Sequence, residues 1–160
     1  LPVAGDEILV VEAPLSTLPL FLRGGGIIPM LRPTIDTMAP VSAGIDIESY
    51  ANDPGSLFTH IARGPDHSFT LFDETTIQHS NDGDTWRITV TPGAHFVSGM
   101  TVILWGAPQD LVMISVDGAP NQIASDQTSP TIGTAAFDDL NRLQIMLTAG
   151  PHQIELNLSN

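Results

Sequence analysis

The sequence predicts an all-β protein folded as an antiparallel β-sandwich, and three observations support this. Short runs of β-branched and aromatic residues recur between turn signals rich in Gly, Pro and Asp. Apolar residues at helical spacing are hard to find anywhere in the chain. The run WRITVT at residues 86–91 alternates apolar and polar side chains, which is the period of a strand with one face buried.

Strand-like composition recurs along the chain at residues 7–12, 18–23, 27–31, 56–63, 68–72, 86–91, 100–105, 111–116, 143–147 and 152–158. The segments at 100–105 and 111–116 are apolar on both faces, as central strands are. The sequence GPDH at 64–67 predicts a hairpin between its flanking strands, and Asp117-Gly118 predicts a tight turn. Roughly eight strands separated by turns are typical of a β-sandwich.

Composition excludes several classes of partner and site. The 160 residues carry 18 acidic and 5 basic side chains, a net charge of -13, so nucleic acid and anionic membrane surfaces would be repelled. The chain has no cysteine, which excludes disulfides and thiolate metal sites. No apolar run approaches the length of a membrane span. We therefore expect neither nucleic acid nor membrane as a partner, while the compartment stays open. The start at Leu1, without an initiator Met, predicts a mature or excised piece.

Metal and cofactor sites are not expected. The histidines show no compact ligand spacing; they are His60, His67, His79, His95 and His152. The stretch Asn81–Asp84 is rich in oxygen ligands, as calcium loops are, but it lacks their alternation and terminal glutamate. A hairpin tip is the preferred interpretation of that stretch.

Nor does the sequence predict a catalytic centre. Asp73-Glu74 is the acidic pair at a predicted strand end, and consecutive strand residues point to opposite faces, so the two carboxylates cannot converge without a turn. We interpret the pair as a structural turn. No Gly-x-Ser-x-Gly elbow is present.

We assign the large apolar side chains mainly to the core. Trp86 and Trp105 lie in strongly apolar strands, which favours packing over stacking on a sugar ring. The methionines are interpreted as core fillers; they are Met30, Met38, Met100, Met113 and Met146.

One stretch carries a specific family resemblance. Residues 13–30, APLSTLPLFLRGGGIIPM, resemble the segment that closes the proximal C-terminal β-domain of glycoside hydrolase family 31, the α-glucosidase and α-xylosidase family. The matching positions are Ala13, Pro14, Leu15, Pro19, Arg23, Gly25, Ile27, Ile28 and Pro29. SFTLFDET at 68–75, VILWGAP, ISVDGAP and GPHQIEL are similar to the distal domain that follows. Phe72 departs from the family's tyrosine there, and Thr75-Thr76 stands where a glycine is expected.

The resemblance implies a domain arrangement. Residues 1–32 would be terminal strands of the proximal C-terminal β-domain, 33–55 a linker, and 56–160 a distal C-terminal β-sandwich. The sandwich would then carry extra N-terminal strands from a preceding β-domain. Arg23 is interpreted as a structural guanidinium that satisfies backbone carbonyls or an Asp, with a sugar or phosphate ligand as the alternative. The adjacent glycines are interpreted as structural, since a strand follows them and the chain contains no lysine for a phosphate site.

The resemblance also implies a function. A retaining glycosidase needs two carboxylates about 5 Å apart, and in the family these lie on a (β/α)8 barrel whose motifs precede the stretch seen here. The chain would therefore be a non-catalytic accessory region with no cofactor, and its partner the catalytic barrel of the parent enzyme. Apolar strands without partners are prone to associate, so residues 7–31 are candidates for self-association. A carbohydrate-binding module is the alternative, and a structural adhesion domain a third.

Overall fold

Every regular element in the computed structural model is a β-strand, across the residues it describes: 8–14, 16, 20–111, 113–124 and 130–158. The strands are β1 (Ile27–Met30), β2 (Leu57–Ala62), β3 (His67–Thr70), β4 (Thr76–Asn81), β5 (Thr85–Thr91), β6 (Met100–Trp105), β7 (Met113–Val116), β8 (Ala119–Ile123), β9 (Thr134–Phe137), β10 (Leu143–Leu147) and β11 (His152–Asn157). The all-β prediction is thus confirmed. Within these residues no helix is long and apolar enough to cross a membrane.

The eleven strands form one mixed sheet, so the predicted antiparallel sandwich is not confirmed. The strand order is β1-β2-β6-β10-β9-β8-β7-β11-β5-β4-β3. β2 runs parallel to β6 and β8 parallel to β9, while the other neighbours are antiparallel. The sheet curls until its edge strands β1 and β3 lie close together. We call β1, β2, β6, β10 and β9 the first half, and the remaining strands the second half.

Both halves bury their inner faces in one hydrophobic core. The first half contributes Leu57 and Ile61 of β2 with Leu104 of β6, and the second half contributes Trp86 and Ile154. Along β5, buried and exposed residues alternate as predicted from the sequence. Ile154 and Leu156 of β11, and Leu158 directly after it, are buried as predicted.

Three strands were missed because their sequences carry little apolar signal. β4 reads TIQHSN, β8 reads APNQI and β9 reads TAAF. β8 and β9 lie within or beside a stretch that lacks apolar runs. They are strands because their backbones pair with neighbouring strands. In β7, expected to be apolar on both faces, Met113 is exposed. The Asp117-Gly118 turn is confirmed: it joins β7 to β8, and both residues have positive φ, 53° and 77°.

The hairpin predicted at residues 64–67 is wrong. β2 pairs with β1 and β6, whereas β3 pairs with β4 at the opposite edge of the sheet. The turn chemistry is present, but the chain uses it to pass from the first half to the second. β2 and β3 therefore follow one another along the chain but are not neighbours in the sheet.

The strands predicted at 7–12 and 18–23 are not formed where the structure describes them. Ile8 is 97% exposed and Val10 is 90% exposed, and no strand pairs with residues 8–12 or 20–23. Residues 7, 18 and 19 lie outside the described residues. The glycines that follow make a turn, as expected: Gly25 has φ +80°, and a Cβ there would lie 2.6 Å from the Pro65 carbonyl oxygen.

Residues 33–55 fold around one arginine. Arg32 lies 3.1 Å from Glu48 through Nε and 3.3 Å from Asp53 through a terminal nitrogen. The guanidinium covers Gly55, where a Cβ would lie 2.5 Å from that nitrogen. The segment contains one isolated bridge, Thr37 to Ser49, and no strand. Its role as a linker between domains stays a prediction.

Candidate functional site

A buried tryptophan–histidine pair ties the two edges of the sheet together. Trp86 Nε1 donates to His79 Nδ1 at 3.3 Å, and His79 Nε2 lies 3.0 Å from the Gly25 carbonyl oxygen. Since Nδ1 accepts, Nε2 carries the proton and donates to that carbonyl. Trp86 and His79 are both buried. The pair links β5 and β4 to the turn that precedes β1, so Trp86 is a core residue, as predicted.

The second tryptophan–histidine pair lies on the outside of the first half. Trp105 Nε1 donates to His60 Nδ1 at 2.9 Å, and the Arg142 guanidinium carbon lies 5.0 Å from the centre of the indole ring. Trp105 is half-buried, so the prediction that it packs in the core is wrong. Burial lowers the pKa of His60, and the charge of Arg142 lowers it further against an opposing effect of Asp138.

Asp138 organises the turn between β9 and β10. Its Oδ1 accepts backbone N–H groups from Leu140 and Arg142, each at 3.0 Å. Its Oδ2 accepts from Arg142 Nε at 2.6 Å and from Gln144 Nε2 at 2.8 Å. Burial raises the pKa of Asp138, but these donors outweigh it and the net pKa lies below the ordinary value of 3.8. Both carboxylate oxygens are therefore occupied by the chain itself.

Asp73 forms a comparable clasp between the β3–β4 turn and the loop after β5. Its two oxygens accept from Thr75 N at 3.1 Å, Thr75 Oγ1 at 2.9 Å and His95 N at 3.1 Å. The turn and the loop pack so closely that a Cβ added at Gly93 would lie 1.9 Å from the Asp73 carbonyl oxygen. Burial opposes these hydrogen bonds, yet the pKa of Asp73 is lowered. Glu74 follows with φ +69°, so the predicted structural turn is confirmed.

An aromatic cluster at the same end of the molecule was not predicted. His95 contacts Tyr50 and Phe72 with ring centres 5.4 Å apart in each case, and Phe96 at 5.2 Å. Phe72 is nevertheless 74% exposed. Three separate segments supply these rings, so no local pattern in the sequence could have revealed the cluster. Phe72 thus presents an aromatic ring to solvent from a clasped turn.

The oxygen-rich stretch Asn81–Asp84 forms the tip of the β4–β5 hairpin, as predicted. Asp82 Oδ1 accepts backbone N–H groups from Thr85 at 2.7 Å and Asp84 at 3.1 Å, and Asn81 Oδ1 accepts from Gly83 at 3.2 Å. The turn therefore uses these oxygens internally. Across the described ranges, no three His, Asp or Glu side chains are placed to hold a metal ion together.

The remaining histidines lie apart from one another. His152 Nδ1 lies 2.7 Å from Asp117 Oδ2, and its Nε2 lies 3.1 Å from the Thr148 carbonyl oxygen and 3.2 Å from Thr148 Oγ1. The Asp117 carboxylate only accepts, so Nδ1 of His152 donates to it. His67 is exposed on the edge strand β3. His152 thus connects the β7–β8 turn to the loop that precedes β11.

The outer surface of the first half is apolar. Residues that pair across β1, β2, β6 and β10 face the same side, and one such row is Met30, Phe58, Thr101 and Met146. The next row is Ile28, His60, Ile103 and Gln144. We call this surface the apolar face. The methionine prediction is largely wrong: in the described chain only Met100 is buried, and Met30, Met38, Met113 and Met146 are exposed.

The outer surface of β3, β4 and β5 in the second half is polar. Ser68, Gln78 and Thr89 form one cross-strand row on β3, β4 and β5, with Ser80 and Arg87 in the next row. Together with Asp66 and His67 these side chains line a shallow open cleft. Arg87 pairs with Glu155 at 2.9 Å and Asp82 at 3.5 Å. We call this surface the polar face.

Comparison with solved structures finds a similar fold in parts of two enzymes. A GH31 dextranase from Flavobacterium johnsoniae, complexed with glucose, matches 92% of this chain at 17% identity with a TM-score of 0.62, and the match covers 21% of the dextranase. The cycloalternan-forming enzyme from Listeria monocytogenes, in complex with a pentasaccharide substrate, matches 91% at 18% identity with a TM-score of 0.61 and is covered over 14% of its length. The chain has the fold of a GH31 segment.

This likeness confirms at the level of fold the resemblance found in the sequence. The chain spans about a fifth or less of the enzymes that it matches, as a domain of a larger enzyme does. No protein-family model and no curated protein sequence matches it.

Proposed function

We propose that this chain is the non-catalytic C-terminal accessory region of an α-glycosidase resembling family 31, and that it supports the catalytic barrel. The observation that carries the proposal is the match of nearly the whole chain to a small part of two glycoside hydrolases. The arrangement of the carboxylates is in keeping with it, because the oxygens of Asp73 and Asp138 accept hydrogen bonds from nearby turns and loops of the chain. By resemblance, hydrolysis belongs to a barrel encoded before residue 1.

Two measurements test this role. The isolated chain should release no sugar from maltose, isomaltotriose, dextran or xyloglucan oligosaccharides. A longer protein that includes the residues encoded before Leu1 should hydrolyse an α-glycoside, and deleting residues 1–160 from it should lower the thermal midpoint of the remainder. Sugar release by the isolated chain, or an upstream sequence without a glycosidase barrel, contradicts the proposal.

The exposed ring of Phe72 favours one second function, that of a carbohydrate-binding module. Sugar rings stack on aromatic side chains held on a rigid support, and Phe72 is held by the Asp73 clasp and by its contact with His95. Isotope-labelled protein titrated with maltooligosaccharides and xyloglucan fragments should then show saturable shifts around Phe72 that F72A abolishes. Saturation without loss in F72A contradicts this site.

A further inference from the structure

The apolar face has the construction of an interface. At its centre Thr101, Ile103 and Ala136 are buried although they face away from the hydrophobic core. Around them Ile28 is 43% exposed and Met30 51% exposed. Contiguous exposed apolar side chains on a soluble protein mark an interaction site.

Several polar groups on the apolar face are already paired with one another. The Trp105 indole N–H is bonded to His60, and Arg142 and Gln144 are both bonded to Asp138. Covering this face therefore leaves few donors or acceptors unsatisfied, which keeps the desolvation cost low.

The polar face differs in this respect. Among the described residues, no hydrogen bond satisfies the side chains of Ser68, Gln78, Ser80 or Thr89, which point to solvent. A partner that covered the polar face would have to replace their bonds to water one by one. Of the two outer faces, the apolar face is the one suited to burial.

Charge separates the faces in the same way. The chain has 18 acidic residues, yet no outward-facing position on β1, β2, β6 or β10 is Asp or Glu. Depletion of charge at the centre of a patch is the compositional mark of protein–protein interfaces. An acidic molecule that keeps one neutral surface can dock there without repulsion.

The path of the chain indicates which partner lies there. Residues 8–14 and 20–23 are exposed or half-buried and lead directly into β1, the edge strand of the apolar face. A domain connected through them joins the molecule at the border of this face. We propose that the apolar face is covered by the remainder of the proximal C-terminal β-domain, which precedes it in the same glycoside hydrolase polypeptide, an inference that rests on the proposed function.

Hydrogen exchange tests this surface directly. Amide exchange is compared between the isolated chain and a longer protein that carries the residues encoded before Leu1. Exchange in β1 and at the exposed end of β10 should slow about tenfold or more in the longer protein, because docking must be undone before these amides open. Exchange in β3 and β4 should stay within about twofold, since these strands lie under the polar face.

Two matched variants sharpen the result. In the longer protein, M30E places an unpaired carboxylate in the docked surface and should abolish the slowing, while T89E on the polar face should leave it unchanged. Slowing of β3 and β4 instead of β1 overturns the assigned face but leaves the proposed function intact. Slowing in the isolated chain that depends on its concentration makes a second copy the occupant and also overturns it. If no glycosidase barrel is encoded upstream, the proposed function fails first.

Discussion

The two halves of the sheet share one core but present opposite outer surfaces. The inner faces of both are packed with Leu, Ile, Val and Trp side chains. Outside, the first half shows Met30, Ile28 and Phe58, whereas the second half shows Ser68, Gln78 and Thr89. Alternation with period two fixes the inner face of each strand. The composition of each outer face then indicates whether that half faces solvent or another protein surface.

The two tryptophan–histidine pairs show the same difference between the inside of the sheet and its outer surface. In each pair an indole N–H donates to a histidine Nδ1. The pair of Trp86 and His79 lies inside the sheet, and the pair of Trp105 and His60 lies on the apolar face. The same hydrogen bond should therefore contribute differently to stability in the two halves.

The largest expected effect concerns the tryptophans. W86A should lower the free energy of unfolding of the isolated chain by about 3–5 kcal/mol, because it empties a fully buried site. W105A should cost about 1–2 kcal/mol, since that ring is half-buried. Urea unfolding followed by far-UV circular dichroism measures both, and W86F replaces W86A if the latter does not fold. Equal losses at the two positions would erase the distinction between the halves.

Substitution of the two histidines should lower the free energy of unfolding in the same order as the tryptophans, with smaller losses. H79F leaves the Trp86 N–H and the Gly25 carbonyl without their partner in the interior and should cost about 2–3 kcal/mol. H60F should cost about 1 kcal/mol or less, because the half-exposed Trp105 N–H can donate to water. The same urea unfolding experiment compares them. A greater loss in H60F contradicts the assignment of the inner pair to the core.

Lowering the pH should reduce the stability of the isolated chain in two steps, the first from His60 and the second from Asp73 and Asp138. The pKa of His60 is below its ordinary 6.5, so the unfolded chain binds this proton more tightly and stability falls as pH drops below about 6.5. The pKa values of Asp73 and Asp138 are below 3.8, so their contribution is present above about pH 4 and is lost as pH falls further.

Unfolding free energies measured from pH 8 to pH 3 check this order. H60F should remove the His60 contribution to the upper step and leave the lower step in place. D138N should shrink the lower step. Stability that rises on acidification through pH 6 contradicts the direction given for His60.

The smallest effects are expected on the outer faces of the isolated chain. M30E and T89E should each change the unfolding free energy by no more than about 0.5 kcal/mol, because both positions are exposed. Thermal or urea unfolding of the two variants gives the comparison. A loss above about 1 kcal/mol in M30E alone would mean that the apolar face packs within the chain itself.

Apolar runs located most strands, but they did not determine which strands pair. β5, β6, β10 and β11 were predicted because their buried positions are large and apolar. β4 and β9 were missed, since pairing with neighbours holds their small or polar residues in the sheet. Conversely, residues 8–11 are apolar but pair with no strand.

The candidate sites show the same limit: features closed by nearby residues could be predicted, and features assembled from distant segments could not. Local patterns identified the Asp73 turn and the Asn81–Asp84 tip because each is closed by residues a few positions away. The aromatic cluster and the apolar face were not found, because they assemble Tyr50, Phe72 and His95 in one case and four strands in the other.

By itself, the sequence determined that this protein is all-β and which side of β5 and β11 is buried. It also showed that the opening stretch resembles family 31. Each of these depends only on the order and spacing of residues along the chain. Only the tertiary structure decided that the strands join into one curled sheet with an apolar and a polar outer face. The physical reason is that side chains far apart in sequence meet only after long-range strand pairing, and that pairing depends on partners no local pattern specifies.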